Sequence, residues 1–138
     1  MNNYFVILAA GKGKRFSKIK PKQFFEYKNR EIIEHSILKS VESKLFKKII
    51  IVTKNLNKFK NKEYSKFIKV INGGKERSDS SLLALKYLKK FKPKNVLIHD
   101  AARPNFSITL INKLLKSLNK FDGVIPVLKT TSSIKILK

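Results

Sequence analysis

Short apolar runs alternate along this chain with segments whose apolar residues recur at helical spacing. Tyr4 to Leu8 is an unbroken apolar run of strand length. Ile32, Ile33, Ser36, Ile37, Ser40 and Val41 fall on one face of a helix predicted from about Glu31 to Ser43. Lys47 to Thr53, rich in β-branched residues, predicts a second buried strand. Asn55 to Lys66 is polar and lysine-rich and reads as a short surface helix, and Phe67 to Ile71 reads as a third strand closed by Gly73-Gly74. Ser78 or Asp79 is placed to cap a helix that carries Leu82, Leu83, Leu85, Tyr87 and Leu88 and stops before Pro93. Asn95 to His99 predicts a fourth strand. Ser107 caps a helix with Leu110, Ile111, Leu114, Leu115 and Leu118. Gly123 to Val127 predicts a fifth strand, and Ser133 to Leu137 a sixth.

Buried strands alternating with amphipathic helices predict an α/β fold, a mostly parallel sheet flanked by helices on both faces. No repeat, linker or composition shift divides residues 1–138, so one domain is expected. A strand order of 3-2-1-4-5 would make strands one and four neighbours where the winding reverses. Ligands bind such sheets beyond the carboxyl ends of the strands at that point. Two segments would meet there: the loop after Leu8, and His99-Asp100-Ala101-Ala102-Arg103-Pro104.

Those two segments carry candidate chemistry. The first, Ala9-Ala10-Gly11-Lys12-Gly13-Lys14-Arg15, continues through Lys18, Lys20 and Pro21-Lys22-Gln23. Glycines let backbone N–H groups approach phosphate oxygens, and the cations answer their charge. The loop lacks the third glycine of the dinucleotide fingerprint and the Gly-Lys-Ser/Thr ending of a P-loop, so neither common template applies. In the second segment Asp100 is one of only three aspartates. A carboxylate at a switch point can hold Mg²⁺ together with substrate phosphates, or it can simply form the turn before a helix. His99, at a strand end, reads as packed rather than catalytic. Gly73-Gly74-Lys75-Glu76-Arg77-Ser78-Asp79-Ser80 offers glycines, hydroxyls and N–H groups that could read a base or ribose, or could be a plain turn and helix cap.

Composition narrows the class. With no cysteine there is neither a disulfide framework nor thiolate chemistry, which suits a reducing cytoplasm. The apolar start is followed, not preceded, by cations, so no export signal is read, and no apolar run is long enough to span a bilayer. Thirty-two Lys+Arg against nine Asp+Glu give a net charge of +23. That charge opens a second class, a basic nucleic-acid-binding module, which would gather cations and aromatics on one face. Here the lysines are spread along the chain. The four arginines, Arg15, Arg30, Arg77 and Arg103, are rarer, and three of them sit in the loops just described. A retained arginine suits bidentate recognition of phosphate or carboxylate.

Together these motifs resemble those of the sugar-phosphate nucleotidylyltransferases. Leu8-Ala9-Ala10-Gly11-x-Gly13-x-Arg15 with Pro21-Lys22-Gln23 resembles their nucleotide-binding signature. Gly73-Gly74-x-x-Arg77-x-x-Ser80 and His99 to Pro104 narrow it to cytidylyltransferases, most closely the 2-C-methyl-D-erythritol 4-phosphate cytidylyltransferase family, with ribitol-5-phosphate cytidylyltransferases as near relatives. The resemblance implies a Rossmann-like fold of the nucleotide-diphospho-sugar transferase type. It also implies CTP and a polyol phosphate as substrates, Mg²⁺ as cofactor and a homodimer. It assigns Arg15 and Lys22 to catalysis, and Ala9, Ala10, Gly11 and Gly13 to the triphosphate. Gly74, Lys75, Arg77 and Ser80 fall to the cytidine, with Lys75 acting through its backbone because relatives are usually acidic there. Asp100 is the metal and ribose carboxylate, Arg103 follows it in the same turn, and Thr130 or Thr131 lies near the polyol phosphate. Such chemistry needs no general base, because the attacking phosphate is already an anion.

The sequence departs from that pattern in two places. Lys129 stands before Thr130 where relatives usually carry aspartate, and the family continues past Lys138 with a dimer arm, further cations and a second acidic metal ligand. The chain is therefore expected to be the nucleotide-binding part, truncated on its C-terminal side and poorly active alone.

Overall fold

The computed structural model describes residues 2–12 and 19–129. In chain order its elements are β1 (Asn3–Leu8), a 3₁₀ turn (Lys22–Phe24), β2 (Glu26–Tyr27), β3 (Arg30–Glu31), α1 (Ile32–Glu42) and β4 (Lys48–Thr53). A second 3₁₀ turn (Ser65–Phe67), β5 (Ile68–Asn72), α2 (Arg77–Lys89), β6 (Asn95–Asp100) and α3 (Ile108–Ser117) follow.

Four of the strands form one parallel sheet in the order β5-β4-β1-β6, which is the expected order without its fifth member. β1 is central because it can be buried on both faces. Phe5 and Ile7 join Ile49, Ile51, Ile33 and Ile37 under α1, while Tyr4, Val6, Ile50 and Val52 meet Ala84 and Leu88 of α2. The register sets Ile7 beside both Ile51 and His99, and Leu8 beside Asp100.

Several local predictions change. Gly123 to Val127 forms no strand: Ile125 is 81% and Val127 79% exposed. Apolar β-branched residues make a strand only when a ladder and a buried face receive them, and Pro126 has no N–H to give. α2 is capped by Glu76, not Ser78 or Asp79, through a capping box in which the Glu76 N–H donates to Asp79 Oδ2 at 2.9 Å. Its inward face is Ser80, Ala84 and Leu88, whereas Leu82, Leu83 and Leu85 are exposed. Residues 55–64 form turns rather than a helix, yet they bury Phe59 and Tyr64 in the α1-side core. The β2–β3 hairpin was not anticipated. Its turn places both Lys28 and Asn29 at positive φ (49° and 62°), as a type I′ turn requires. The predicted sixth strand, Ser133 to Leu137, lies outside the described residues.

Tyr64 also closes a polar network at the start of α1. Its hydroxyl donates to Glu34 Oε1 at 2.7 Å, Lys62 Nζ lies 2.9 Å from the same oxygen, and the Glu31 N–H donates to Oε2 at 3.1 Å. Burial pushes the Glu34 carboxyl up, but these donors outweigh burial and hold it below its usual 4.5. Burial and the Glu34 charge both raise the Tyr64 phenol, which stays protonated as a donor. A depressed carboxyl stabilises the fold fully above its unfolded value and loses that contribution as pH falls through the folded value. Tyr64→Phe is therefore expected to cost about 1–3 kcal/mol at neutral pH. The gap to the parent should narrow as pH falls from 4.5 through the lower folded value, which urea titrations across pH will read.

Candidate functional site

Because β1 and β6 are neighbours with Leu8 opposite Asp100, the loops that follow them leave the sheet side by side. The Ala101 N–H donates to Leu8 O at 3.1 Å, and the Ala9 N–H donates to Val52 O at 2.7 Å. Ala9 is buried, so its part is to anchor the loop; Ala10 and Gly11 are the residues that reach the surface pocket.

Gln23 fixes that loop. Its side-chain amide is buried and donates to Ala9 O and to Gly11 O, both at 2.9 Å. One side chain thus ties the start of the glycine loop to the 3₁₀ turn carrying Lys22. Sequence reasoning placed Gln23 within a motif but gave it no role. The available signal was an amide, able to donate two hydrogen bonds, just after a proline and a lysine.

The second wall is the segment from Gly73 to the start of α2. The Gly73 N–H donates to Thr53 O at 3.1 Å, and Lys54 Nζ, unanticipated from sequence, donates to Gly73 O at 2.5 Å. A Cβ at Gly73 would fall on the Cβ of Ala10, and one at Gly74 on that of Asp79. The paired glycines are therefore needed for close approach of the two loops and the helix. Ser80 is buried and its Oγ accepts the Gly74 N–H at 3.1 Å, so it holds the turn in place.

The floor is Asp100. Its Oδ1 accepts from Arg77 Nε at 2.9 Å, and its Oδ2 lies 3.4 Å from Arg103 Nε. The two guanidinium side chains are 64% and 79% exposed, so the pairs are weak in free-energy terms, well under about 1 kcal/mol each. Both arginines can turn toward an incoming anion at little cost. His99 behind Asp100 packs 5.6 Å from Phe5 and 4.7 Å from Phe106 (ring centroids), with Ser36 Oγ 3.4 Å from Nε2. Burial holds its pKa below 6.5, so the ring is neutral and structural at pH 7.

These walls enclose a pocket of about 200 Å³ lined by Leu8, Ala10, Gly11, Gly74, Lys75, Glu76, Arg77, Ser80 and Asp100. Seven of the residues singled out in the sequence meet in it, with Arg103 joined through Asp100. Gly13, Arg15, Thr130 and Thr131 lie outside the described residues. A larger cavity of about 370 Å³ between β6, α3 and residues 122–126 is lined mostly by aliphatic side chains and contains no cationic one, which suits no polyanion.

Against this geometry, the 2-C-methyl-D-erythritol 4-phosphate cytidylyltransferase (IspD) family model matches residues 4–138. The chain belongs to the IspD family. It is 45% identical over 136 residues to a bifunctional IspD/IspF enzyme of Pelagibacter ubique, a match covering 98% of this chain and 37% of that one. It is 38% identical over 146 residues to a 2-C-methyl-D-erythritol 4-phosphate cytidylyltransferase of Thermosipho melanesiensis, covering 99% and 63%. In structure it is similar to the 4-diphosphocytidyl-2C-methyl-D-erythritol synthase of Anaerococcus prevotii, with a TM-score of 0.78 at 25% identity, covering 99% and 59%. The chain thus spans less than two thirds of the length of each of these IspD relatives.

Two glycines, Gly11 in the pocket and Gly73 behind it, separate folding from binding. A Cβ at Gly11 would meet nothing within 4 Å. Gly11→Ala is expected to leave the unfolding midpoint almost unchanged and to weaken any phosphate ligand at least tenfold. Gly73→Ala overpacks against Ala10 and should cost about 1–3 kcal/mol of stability. Chemical denaturation paired with nucleotide titration distinguishes the two.

Proposed function

We propose that this chain carries the CTP site of an enzyme that transfers CMP to 2-C-methyl-D-erythritol 4-phosphate and releases pyrophosphate. The observation that carries the reading is the single pocket joining Ala10 and Gly11 to Gly74, Arg77 and Asp100 at the carboxyl ends of β1 and β6. Family membership supports the same substrates.

In this reading a phosphate oxygen of the acceptor attacks the α-phosphorus of CTP. The bond from that phosphorus to the bridging oxygen of the β-phosphate breaks, and pyrophosphate leaves with the electron pair. The nucleophile is already anionic, so no residue need remove a proton. The protein's task is alignment and cancellation of charge. Ala10 and Gly11 present the loop backbone to the triphosphate, in a loop shaped by Gln23. Arg15 and Lys22 stabilise the crowded α-phosphate, and Arg77 and Arg103 swing from Asp100 to phosphate oxygens. Lys75 and the turn held by Ser80 face the cytidine, and Thr130 or Thr131 serves the acceptor phosphate.

Among the described residues no group of three or more His, Cys, Asp or Glu could hold a metal alone. Asp100 nevertheless suits Mg²⁺, which takes one or two carboxylates and fills its shell with phosphates and water. Bound there, Mg²⁺ would neutralise triphosphate charge. The cytoplasmic setting, which the absence of cysteine suits, and the homodimer, which the family resemblance implies, belong to this proposal; no helix among the described residues is long and apolar enough to cross a membrane.

The test is ³¹P NMR of CTP, Mg²⁺ and acceptor with enzyme in excess. The CDP-polyol diphosphate and pyrophosphate signals should appear with methylerythritol phosphate, and more slowly or not at all with ribitol 5-phosphate. Faster transfer to ribitol 5-phosphate than to methylerythritol phosphate would overturn the assignment.

A further inference from the structure

A second pocket lies at the opposite, amino end of the sheet. On the face covered by α2, the parallel register sets Tyr4 beside Lys48 and Ile50 beside Lys69. The neighbouring positions on that face, Val6, Val52 and Ile71, are apolar and packed with Ala84 and Leu88 of α2. Lysine at such a position is costly unless its ammonium reaches solvent or a partner. Here α2 ends at Lys89, leaving the amino end of the face uncovered.

What remains is a pocket of about 310 Å³ lined by Tyr4, Lys47, Lys48, Ile50, Lys69, Tyr87 and Phe91. Its base is Tyr4 and Ile50, both buried. Phe91 stacks on Tyr4 at 6.0 Å, and Tyr87 lies 5.5 Å from Phe91. Lys90 Nζ sits 4.7 Å from the Tyr87 ring centre and 5.0 Å from that of Phe91. Lys48 Nζ donates to Lys66 O at 2.8 Å. Among the described residues no carboxylate forms an ion pair with Lys47, Lys48, Lys69 or Lys90. Lysines scattered in the sequence therefore gather around aromatic walls without a counter-charge.

Aromatic rings offer a stacking surface to a flat group, and uncompensated ammoniums ask for an anion close to it. The volume is that of a small-ligand site. We propose that this pocket binds a phosphate-bearing aromatic base, either as a free nucleotide or as part of a nucleic-acid single strand. It is separate from the CTP pocket, and occupation of one leaves the other accessible.

Fluorescence anisotropy with a labelled ten-residue oligothymidylate, and a parallel titration with thymidine monophosphate, test this on the whole chain. Lys69→Glu and Tyr87→Ala are expected to weaken binding at least tenfold. Lys113→Glu, an equal charge change on an exposed position of α3, should change it less than twofold. Tighter binding of the oligomer than of the monophosphate identifies a strand as the ligand, and equal binding identifies the free nucleotide. The proposal is overturned if neither probe binds or if Lys113→Glu weakens binding as much as Lys69→Glu. Lys69 is exposed, so Lys69→Glu keeps the test valid even if Tyr87→Ala unfolds.

Discussion

Replacing Lys22 by alanine is expected to slow CMP transfer by about 10²–10³-fold, roughly 3–4 kcal/mol of transition-state stabilisation, the scale of a lost oxyanion donor. Lys22 stands on the 3₁₀ turn beside Gln23, whose side chain grips the glycine loop, so its ammonium is carried by the same unit that shapes the proposed phosphate cradle. In the proposed mechanism the charge it answers grows as the acceptor oxygen approaches the α-phosphorus. Its loss should therefore lower the rate of transfer far more than the affinity for CTP. Arg15→Ala should act on the same scale, and the double variant should fall short of the product of the two, because the pair serves one charge. Single-turnover pyrophosphate release with enzyme in excess reads these effects even from slow chemistry. A Lys22→Ala rate within twofold of the parent would remove Lys22 from catalysis.

Gln23→Glu is the second large effect, and it acts through the fold. The parent amide gives both of its N–H groups to carbonyl oxygens of Ala9 and Gly11. A carboxylate in its place has no proton to give and sets buried negative charge against two acceptors. The expected cost is about 3–5 kcal/mol, that of an uncompensated buried charge. CTP-dependent stabilisation should vanish with it. Gln23→Met keeps the volume and removes only the donors, so its cost should be smaller, about 1–3 kcal/mol, because the Ala9 carbonyl is left buried and unpaired while exposed Gly11 can bond water. Urea midpoints for the two variants, with and without CTP, measure both consequences. Equal midpoints for Gln23→Glu and the parent would show that the amide does not hold the loop.

The parts of this chain that sequence made legible are those governed by local pattern. Tyr4 to Leu8 and Lys47 to Thr53 are runs with only one sensible burial, and they pair as expected. The junction of β1 with β6 follows from topology, and so does the meeting of Gly11 with Asp100. What escaped depends on contacts distant in sequence. Nothing local indicates that Leu82, Leu83 and Leu85 face outward while Ala84 and Leu88 face the sheet, because the run is apolar on every side. Gly123 to Val127 has strand composition, but composition cannot provide the neighbour that a ladder requires. Gln23, Lys54 and Ser80 hold backbone groups brought close only by folding. The lysines at 47, 48 and 69 look dispersed in sequence because the register that gathers them is a property of the sheet.

The pocket between Gly11 and Asp100 is expected to select CTP. Thermal unfolding with CTP, UTP, ATP or GTP, each with and without Mg²⁺, tests it most directly. A ligand at about a hundred times its Kd adds about 2.7 kcal/mol, a rise in Tm of several degrees for a domain of this size. That rise is expected for CTP with Mg²⁺, a smaller one without the metal, and little for the other three. Equal shifts with all four nucleotides, or none with CTP, would contradict it.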